Sequence, residues 1–185
     1  IAPDGDGGSI EQTAGFDSVV VEGTMNMTAT EGGSKSASMY VQYVDGEAQD
    51  TTYLSQEGSK IYLFYDLGFD VEGVDPIFLG TAWVLVADLN ASGQWVGFNL
   101  PPIDFDLEYQ GQTLPAKLTV EITGEFDGDD NRTINGTTVT GKRFTNTYSL
   151  RLDISVPIIG TITLPIDVDN TVTYGKDLGI IFDSQ

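Results

Sequence analysis

Apolar and polar residues alternate along most of the chain, and this period of two constrains the fold more than any other feature. Over 146–156 the even-numbered residues from 148 onward are apolar and the residues between them are polar. Residues 118–126 repeat the pattern, with Gly124 as the interruption. Successive side chains of a β-strand point to opposite faces of a sheet. Such segments are therefore typical of half-buried antiparallel strands.

Further strands are expected between turn signals along the whole chain. They lie near 19–27, 38–45, 51–56, 59–66, 80–89, 94–100, 103–109, 137–145, 160–168, 171–175 and 178–182. Asp45-Gly46 and Asn135-Gly136 are dipeptides favoured in two-residue hairpins, and Asp127-Gly128 is another turn signal. The best helix candidates are short, at 9–14 and 67–79.

These patterns predict a mainly β fold with little helix. We expect a single domain of strongly curved antiparallel sheet with about 10 to 12 strands, as a half-barrel, a barrel or a sandwich. A length of 185 residues fits one domain. The Gly/Asp/Pro-rich start lacks periodicity, which predicts a flexible N-terminal tether over 1–12 and a single β domain over 13–185.

Two proline-containing segments are expected to mark sheet edges. Leu100-Pro101-Pro102 and Leu164-Pro165 each precede a segment in which apolar residues alternate with Asp. Proline lacks the N–H that a central strand needs, so it favours strand starts and edges. Carboxylates beside it discourage pairing with another sheet.

Charge and composition exclude several classes of function. The chain has 28 acidic and 8 basic residues, a net charge of −20, and no His or Cys. Strong negative charge disfavours nucleic acid and anionic membranes as partners. Without His or Cys, thiol nucleophiles, Ser-His pairs and ordinary zinc or haem sites are excluded, so we expect no enzyme. No apolar run is long enough for a transmembrane segment.

The acidic, β-rich composition and the tether-like start favour an exported protein. We expect it in the periplasm, attached to the outer membrane or outside the cell, with a removed signal or a lipid anchor upstream of Ile1. A frayed terminus is the alternative explanation of the start. The composition gives no expectation for the oligomeric state.

Asp127, Asp129 and Asn131 place oxygen ligands at alternate positions, as at the start of a calcium loop. Arg132 stands where that loop needs Gly, so an acidic hairpin tip is the alternative. Calcium is the one cofactor that the sequence suggests.

Trp83 and Trp95 flank the predicted turn at 90–93 and are expected in one hairpin. Such a pair suits a stacking platform for a sugar or the wall of an apolar ligand pocket. Filling of the core is the alternative.

Asp104, Asp106 and Glu108 share one face of a predicted strand. Paired carboxylates on a strand carry catalysis in some glycoside hydrolases, and the run resembles the acidic signature of laminarinase-like jelly rolls, with Asp104 in place of its first Glu. A solvated strand face is the alternative.

The last third of the chain resembles bacterial lipoprotein carriers of the LolA type. The resemblance rests on 139–144 (VTGKRF), the alternating strand that follows, and 172–181 (VTYGKDLGII), together with 59–65 (SKIYLFY). It implies an unclosed half-barrel with a short helical lid over an apolar concavity, and no catalysis.

The leading hypothesis is a non-catalytic exported or cell-envelope protein that binds a hydrophobic or lipid-like ligand in a β-sheet concavity. A surface adhesion or assembly β-sandwich, stabilised by calcium, is the second hypothesis. A carbohydrate-active jelly roll is the third.

Overall fold

The computed structural model describes residues 2–3, 9–10, 18–69, 77–109, 111–134, 137–175 and 179–184. The regular structure in these ranges consists of strands. They are β1 (Ala2–Pro3), β2 (Ser9–Ile10), β3 (Ser18–Thr28), β4 (Ser34–Val44), β5 (Glu47–Glu57), β6 (Lys60–Phe69), β7 (Ile77–Asp88), β8 (Gln94–Tyr109), β9 (Gln112–Ile134), β10 (Thr137–Val156), β11 (Gly160–Gly175) and β12 (Gly179–Ser184).

Ten of these strands form two five-stranded sheets. The N-terminal sheet has the order β3-β4-β5-β6-β7, and the C-terminal sheet has the order β8-β9-β10-β11-β12. Neighbouring strands are antiparallel, while β1 and β2 form a separate pair. The predicted mainly β, antiparallel class is confirmed. Neither sheet closes into a barrel within the described residues, so the two open sheets remove that alternative.

The predicted hairpin at Asp45-Gly46 is confirmed. Val44 pairs with Glu47, and the two residues between them have φ values of 54° and 82°. Two positive φ values in succession match the right-handed twist of the flanking strands. The β9–β10 hairpin is also present, because Ile134 pairs with Thr137, although Asn135 and Gly136 lie outside the described residues.

Both helix predictions are wrong where the structure describes them. Ser9–Ile10 forms β2, while 67–69 belongs to β6 and 77–79 to β7. In each case pairing with a neighbouring strand overrides a weak local helix signal. Residues 11–14 and 70–76 lie outside the described residues. Within the described part of the chain, there is no helix with the length and apolarity needed to cross a membrane.

Several strands predicted as separate are continuous. The pairs 94–100 with 103–109, 137–145 with 146–156, and 160–168 with 171–175 merge into β8, β10 and β11. Register shifts next to Phe98, Ile103 and Phe144 lie near the interruptions in β8 and β10, whereas β11 pairs with β10 without a shift. A bulge bends a strand without ending it. Asp127-Gly128 likewise forms no turn, since it lies within β9 at such an irregularity.

The prolines lie along unpaired sheet edges, as predicted, but inside strands and not at strand starts. β8 is an edge strand, and Pro101 and Pro102 occupy its register shift. β12 pairs only with 171–175 of β11 in the described residues, so Pro165 lies beyond that pairing, where β11 borders no further described strand. On an unpaired side of a strand, the N–H that proline lacks is not needed for a hydrogen bond to a neighbouring strand.

The N-terminal sheet curls strongly. The β3–β4 connection reaches the edge of β7, although β5 and β6 separate β4 from β7 in the sheet. There the Glu31 N–H donates to the Thr81 carbonyl and the Trp83 N–H donates to the Glu31 carbonyl, each at 3.0 Å. Inside the curl lie Ala29, Ala37 and Trp83, with aromatic side chains packed around them. The predicted strong curvature is thus present.

The main core lies between the two sheets. Val84 and Val86 of β7 pack in one cluster with Ile122 of β9 and Phe144 of β10. On the opposite face of β7, Trp83 is buried inside the curl. β7 is therefore covered on both faces, which explains its nearly continuous apolar sequence.

Candidate functional site

A groove of about 530 Å³ opens between β6 of the N-terminal sheet and β9, β10 and β11 of the C-terminal sheet. Its volume falls in the range of about 300 to 1,000 Å³ that is typical of small-molecule sites. Most of its wall is apolar. The apolar side chains include Leu63, Leu67, Val120, Ile122, Tyr148, Leu150, Ile166 and Val168.

The register of β10 and β11 creates the apolar wall. Tyr148 lies opposite Val168, and Leu150 lies opposite Ile166. Side chains opposite each other on antiparallel strands share a face and lie within contact distance. The period-two pattern of each strand thus places four apolar side chains on one surface.

This surface extends beyond the groove as a row of exposed apolar side chains on β11. Ile166 and Val168 keep 53% and 55% of their surface exposed, and Ile162 and Leu164 continue the row along the strand. Apolar side chains scattered singly are ordinary, whereas a contiguous set marks an interaction site. We call these four residues the β11 row.

Two tyrosines join the sheets at the groove. The rings of Tyr65 of β6 and Tyr148 of β10 have their centroids 5.8 Å apart at an interplanar angle of 32°. Both residues line the groove. Each ring has an apolar body and a polar tip, so this contact provides an amphipathic wall.

A smaller cavity of about 190 Å³ adjoins the groove and shares Leu63, Tyr148 and Asn170 with it. We call it the end chamber. Asn146 also lines it, directly opposite Asn170 in the β10–β11 register. Asn146 is only 1% exposed. The Oδ1 atoms of both side chains are buried and accept no hydrogen bond from the described residues.

The charged residues around the groove are acidic. Glu121 and Asp169 belong to its lining, and the Thr147 hydroxyl donates to Asp169 at 2.7 Å. Among the described residues that line the groove or the end chamber, none is Lys or Arg. The arrangement suits binding of an apolar, uncharged molecule.

The structure separates the two tryptophans. Trp83 lies in the cluster inside the curl, where its Nε1 donates to the Gly33 carbonyl at 3.1 Å. Trp95 packs against the core between the sheets, and its Nε1 donates to the Leu85 carbonyl at 3.2 Å. Neither belongs to the groove lining. Their role in ligand binding stays a prediction.

The calcium candidates Asp127, Asp129 and Asn131 alternate along β9 instead of forming a hairpin tip. Asp127 accepts a hydrogen bond from the Thr145 hydroxyl at 2.6 Å, and Arg143 lies 4.0 Å from it. In the described residues, no three acidic side chains gather closely enough to hold a metal ion. Calcium binding stays a prediction.

The acidic run of β8 is exposed and outside the groove lining. Asp104 lies 3.6 Å from Lys117, and Glu108 accepts a hydrogen bond from the Thr113 hydroxyl. Asp104 borders a polar depression of about 340 Å³ together with Asp153. The carbohydrate-active hypothesis stays a prediction.

Asp153 in that depression has a pKa below its ordinary value. The Thr163 hydroxyl donates to its Oδ1 at 2.5 Å, which is the largest cause, and partial desolvation opposes it. Arg151 adds a hydrogen bond at 3.1 Å and its positive charge. These partners hold the carboxylate in its ionised form.

Sequence reasoning missed Asn146 and Asn170, although a signal was present. Each stands at a position where the alternation of its strand otherwise places an apolar residue. Asn146 precedes Tyr148 and Leu150 in the even-numbered series of β10, and Asn170 stands between Val168 and Val172 in that of β11. A polar residue in the buried phase of an alternating strand is an anomaly that points to a site.

Comparison of the chain with protein-family models, curated proteins and solved structures gives no match. The resemblance to lipoprotein carriers of the LolA type stays a prediction. The candidate function therefore rests on the geometry of the groove.

Proposed function

We propose that this protein binds a hydrophobic or lipid-like ligand in the groove, without catalysis. The observation that carries the proposal is the continuity between the apolar groove and the exposed β11 row. A ligand lying there would remove both surfaces from water. Burial of one large aliphatic side chain contributes about 1.5 to 3 kcal/mol, so covering several half-exposed ones gives appreciable affinity.

The position of the groove also supports binding. It lies between two sheets that pack against each other elsewhere through a well-filled core. The apolar lining of a groove that opens to solvent is in contact with water, which is unfavourable for apolar surface. A flexible hydrocarbon chain would displace that water and contact the lining. The expected location outside the cytoplasm remains part of the same proposal.

Titration with Nile red, an uncharged apolar fluorophore, tests the proposal. Val168→Asp places a carboxylate in the groove wall, and Val96→Asp is its matched control. The two valines are 55% and 57% exposed, and Val96 lies outside the groove lining. We expect Val168→Asp to weaken Nile red binding by about ten-fold or more, because the new charge must be desolvated by a bound apolar molecule.

We expect Val96→Asp to bind Nile red like the original protein. Equal affinity in both variants, or equal loss in both, contradicts the proposal. Native mass spectrometry of freshly purified protein gives an independent test, since a bound acyl species would appear as an added mass that Val168→Asp reduces.

A further inference from the structure

The end chamber contains two amide side chains that the rest of its lining does not explain. Asn146 and Asn170 are direct partners in the β10–β11 register and both face the chamber. The rest of the lining is mostly apolar or aromatic: Thr52, Leu54, Leu63, Val86, Tyr148, Val172 and Tyr174. Polar side chains in such surroundings destabilise a fold unless they are hydrogen-bonded.

The carbonyl oxygens of this pair are unpaired. Oδ1 of Asn146 and Oδ1 of Asn170 are both buried, and no described residue donates a hydrogen bond to either. Asn146 is among the most deeply buried side chains of the protein. An amide oxygen of this kind is an acceptor that lacks its donor. The chamber therefore offers two adjacent hydrogen-bond acceptors next to an apolar groove.

The surrounding charge restricts the donor further. Glu121 and Asp169 are the carboxylates in the described groove lining, and no Lys or Arg lines either cavity within the described residues. A carboxylate or phosphate group would meet two acceptors and negative charge without a compensating cation. An anionic head group is therefore disfavoured. A cationic head group would be desolvated in a chamber whose described lining includes no carboxylate, whereas a hydroxyl or amide N–H fits.

From this geometry we propose that the ligand is an uncharged amphiphile whose head group, an alcohol or amide, donates hydrogen bonds to Asn146 and Asn170. This inference rests on the proposed binding function and adds the class of ligand. The hydrocarbon part of the ligand lies in the groove along Tyr148 and Leu150, and the head group enters the end chamber through the boundary at Asn170.

Displacement of Nile red by three ligands with the same chain tests the inference. Dodecanol has a hydroxyl donor, its methyl ether has an acceptor only, and dodecanoate has an anionic head. We expect dodecanol to bind about ten-fold more tightly than the ether, a difference of about 1.4 kcal/mol. We expect dodecanoate to bind more weakly than dodecanol at neutral pH.

Two nearly isosteric variants, Asn146→Leu and Asn170→Leu, locate the effect. We expect each to bind the methyl ether at least as well as the original protein and to lose most of the preference for dodecanol. Asn26→Leu is the control, because Asn26 is exposed on β3, in the other sheet. It should keep the full preference.

The possible results separate the two proposals. Equal binding of dodecanol and its ether by the original protein overturns the head-group inference and leaves the binding function standing. An unchanged preference in both Asn→Leu variants also overturns it. If the original protein binds neither Nile red nor any of the three ligands, the binding function itself fails. The comparison of ligands on the original protein requires no variant to fold.

Discussion

Gly124 of β9 lies directly against the indole ring of Trp95. A Cβ atom at position 124 would lie 2.3 Å from Cζ2 of Trp95 and 2.4 Å from Cε2. The indole is also held by two other contacts, because its Nε1 donates to the Leu85 carbonyl at 3.2 Å and its ring lies edge-to-face with Phe144 at 5.7 Å between centroids. The interruption of the apolar pattern at residue 124 thus makes room for the ring.

Gly124→Ala should therefore destabilise the protein by about 1 to 3 kcal/mol, the usual cost of overpacking a core. Gly23→Ala is the control, since Gly23 is also in a strand and no atom lies within 4 Å of its Cβ position. Equilibrium urea unfolding measures both. Equal free energies of unfolding for the two variants would refute the contact.

Lys142 connects the two sheets near the β7–β8 link. Its Nζ donates to the Leu89 carbonyl at 2.5 Å and lies 5.2 Å from the centre of the Phe126 ring. Lys142→Met keeps the aliphatic stem and loses the charged donor. This change should lower the free energy of unfolding by about 1 kcal/mol.

Lys117→Met is the matched control for Lys142. Lys117 forms an exposed ion pair with Asp104, and pairs of this kind contribute about 0 to 1 kcal/mol. Chemical denaturation of both variants should show the larger loss for Lys142→Met. The reverse order would contradict the assigned bridge between the sheets.

Ile158, at the tip of the β10–β11 hairpin, has an unfavourable backbone conformation. Its φ is +74°, and its side chain is fully exposed. A β-branched residue rarely adopts this region, which Gly and Asn tolerate. Ile158→Gly should raise the free energy of unfolding by about 1 kcal/mol. Thermal unfolding measures this variant and its control, Ile159→Gly, a neighbouring change at an exposed residue without positive φ. The control should not gain stability.

The lowered pKa of Asp153 predicts a pH dependence of stability. Because its carboxylate is favoured in the folded protein, the stabilisation is present above the ordinary Asp pKa of about 3.9 and is lost as pH falls through the lower, folded value. Thr163→Val removes the main hydrogen bond and should raise the pKa of Asp153. NMR titration of the Asp153 carboxyl carbon measures this directly. An unchanged titration would show that Thr163 has no such influence.

The sequence predicted the fold class well because the alternation of apolar and polar residues indicates which face of each strand is buried. It could not predict strand lengths: Phe98, Ile103 and Phe144 follow register shifts that resemble breaks in the pattern but only bend the strand. Which strands face each other is set by tertiary packing. For this reason the groove residues Tyr65 and Tyr148, from different sheets, could not be paired in advance.

The two tryptophans illustrate the same limit. Trp83 and Trp95 are close in the chain and were expected in one hairpin, yet one lies inside the curl of the N-terminal sheet and the other between the sheets. Strands β7 and β8 belong to different sheets, and the direction of each tryptophan depends on how its own sheet packs. Residues around the β7–β8 link carry no local signal for that packing.

The succession of neighbouring strands in each sheet has a consequence for folding. Apart from the bridge between Glu31 and Ala82, the strand pairings within the described sheets join strands adjacent in the chain, so each hairpin can form by closing a short loop. We expect docking of the two sheets to be the late step, and the groove needs residues of both sheets. A ligand in the groove would contact both sheets and stabilise their docked arrangement. The melting temperature should then rise with the logarithm of the ligand concentration once that concentration exceeds Kd.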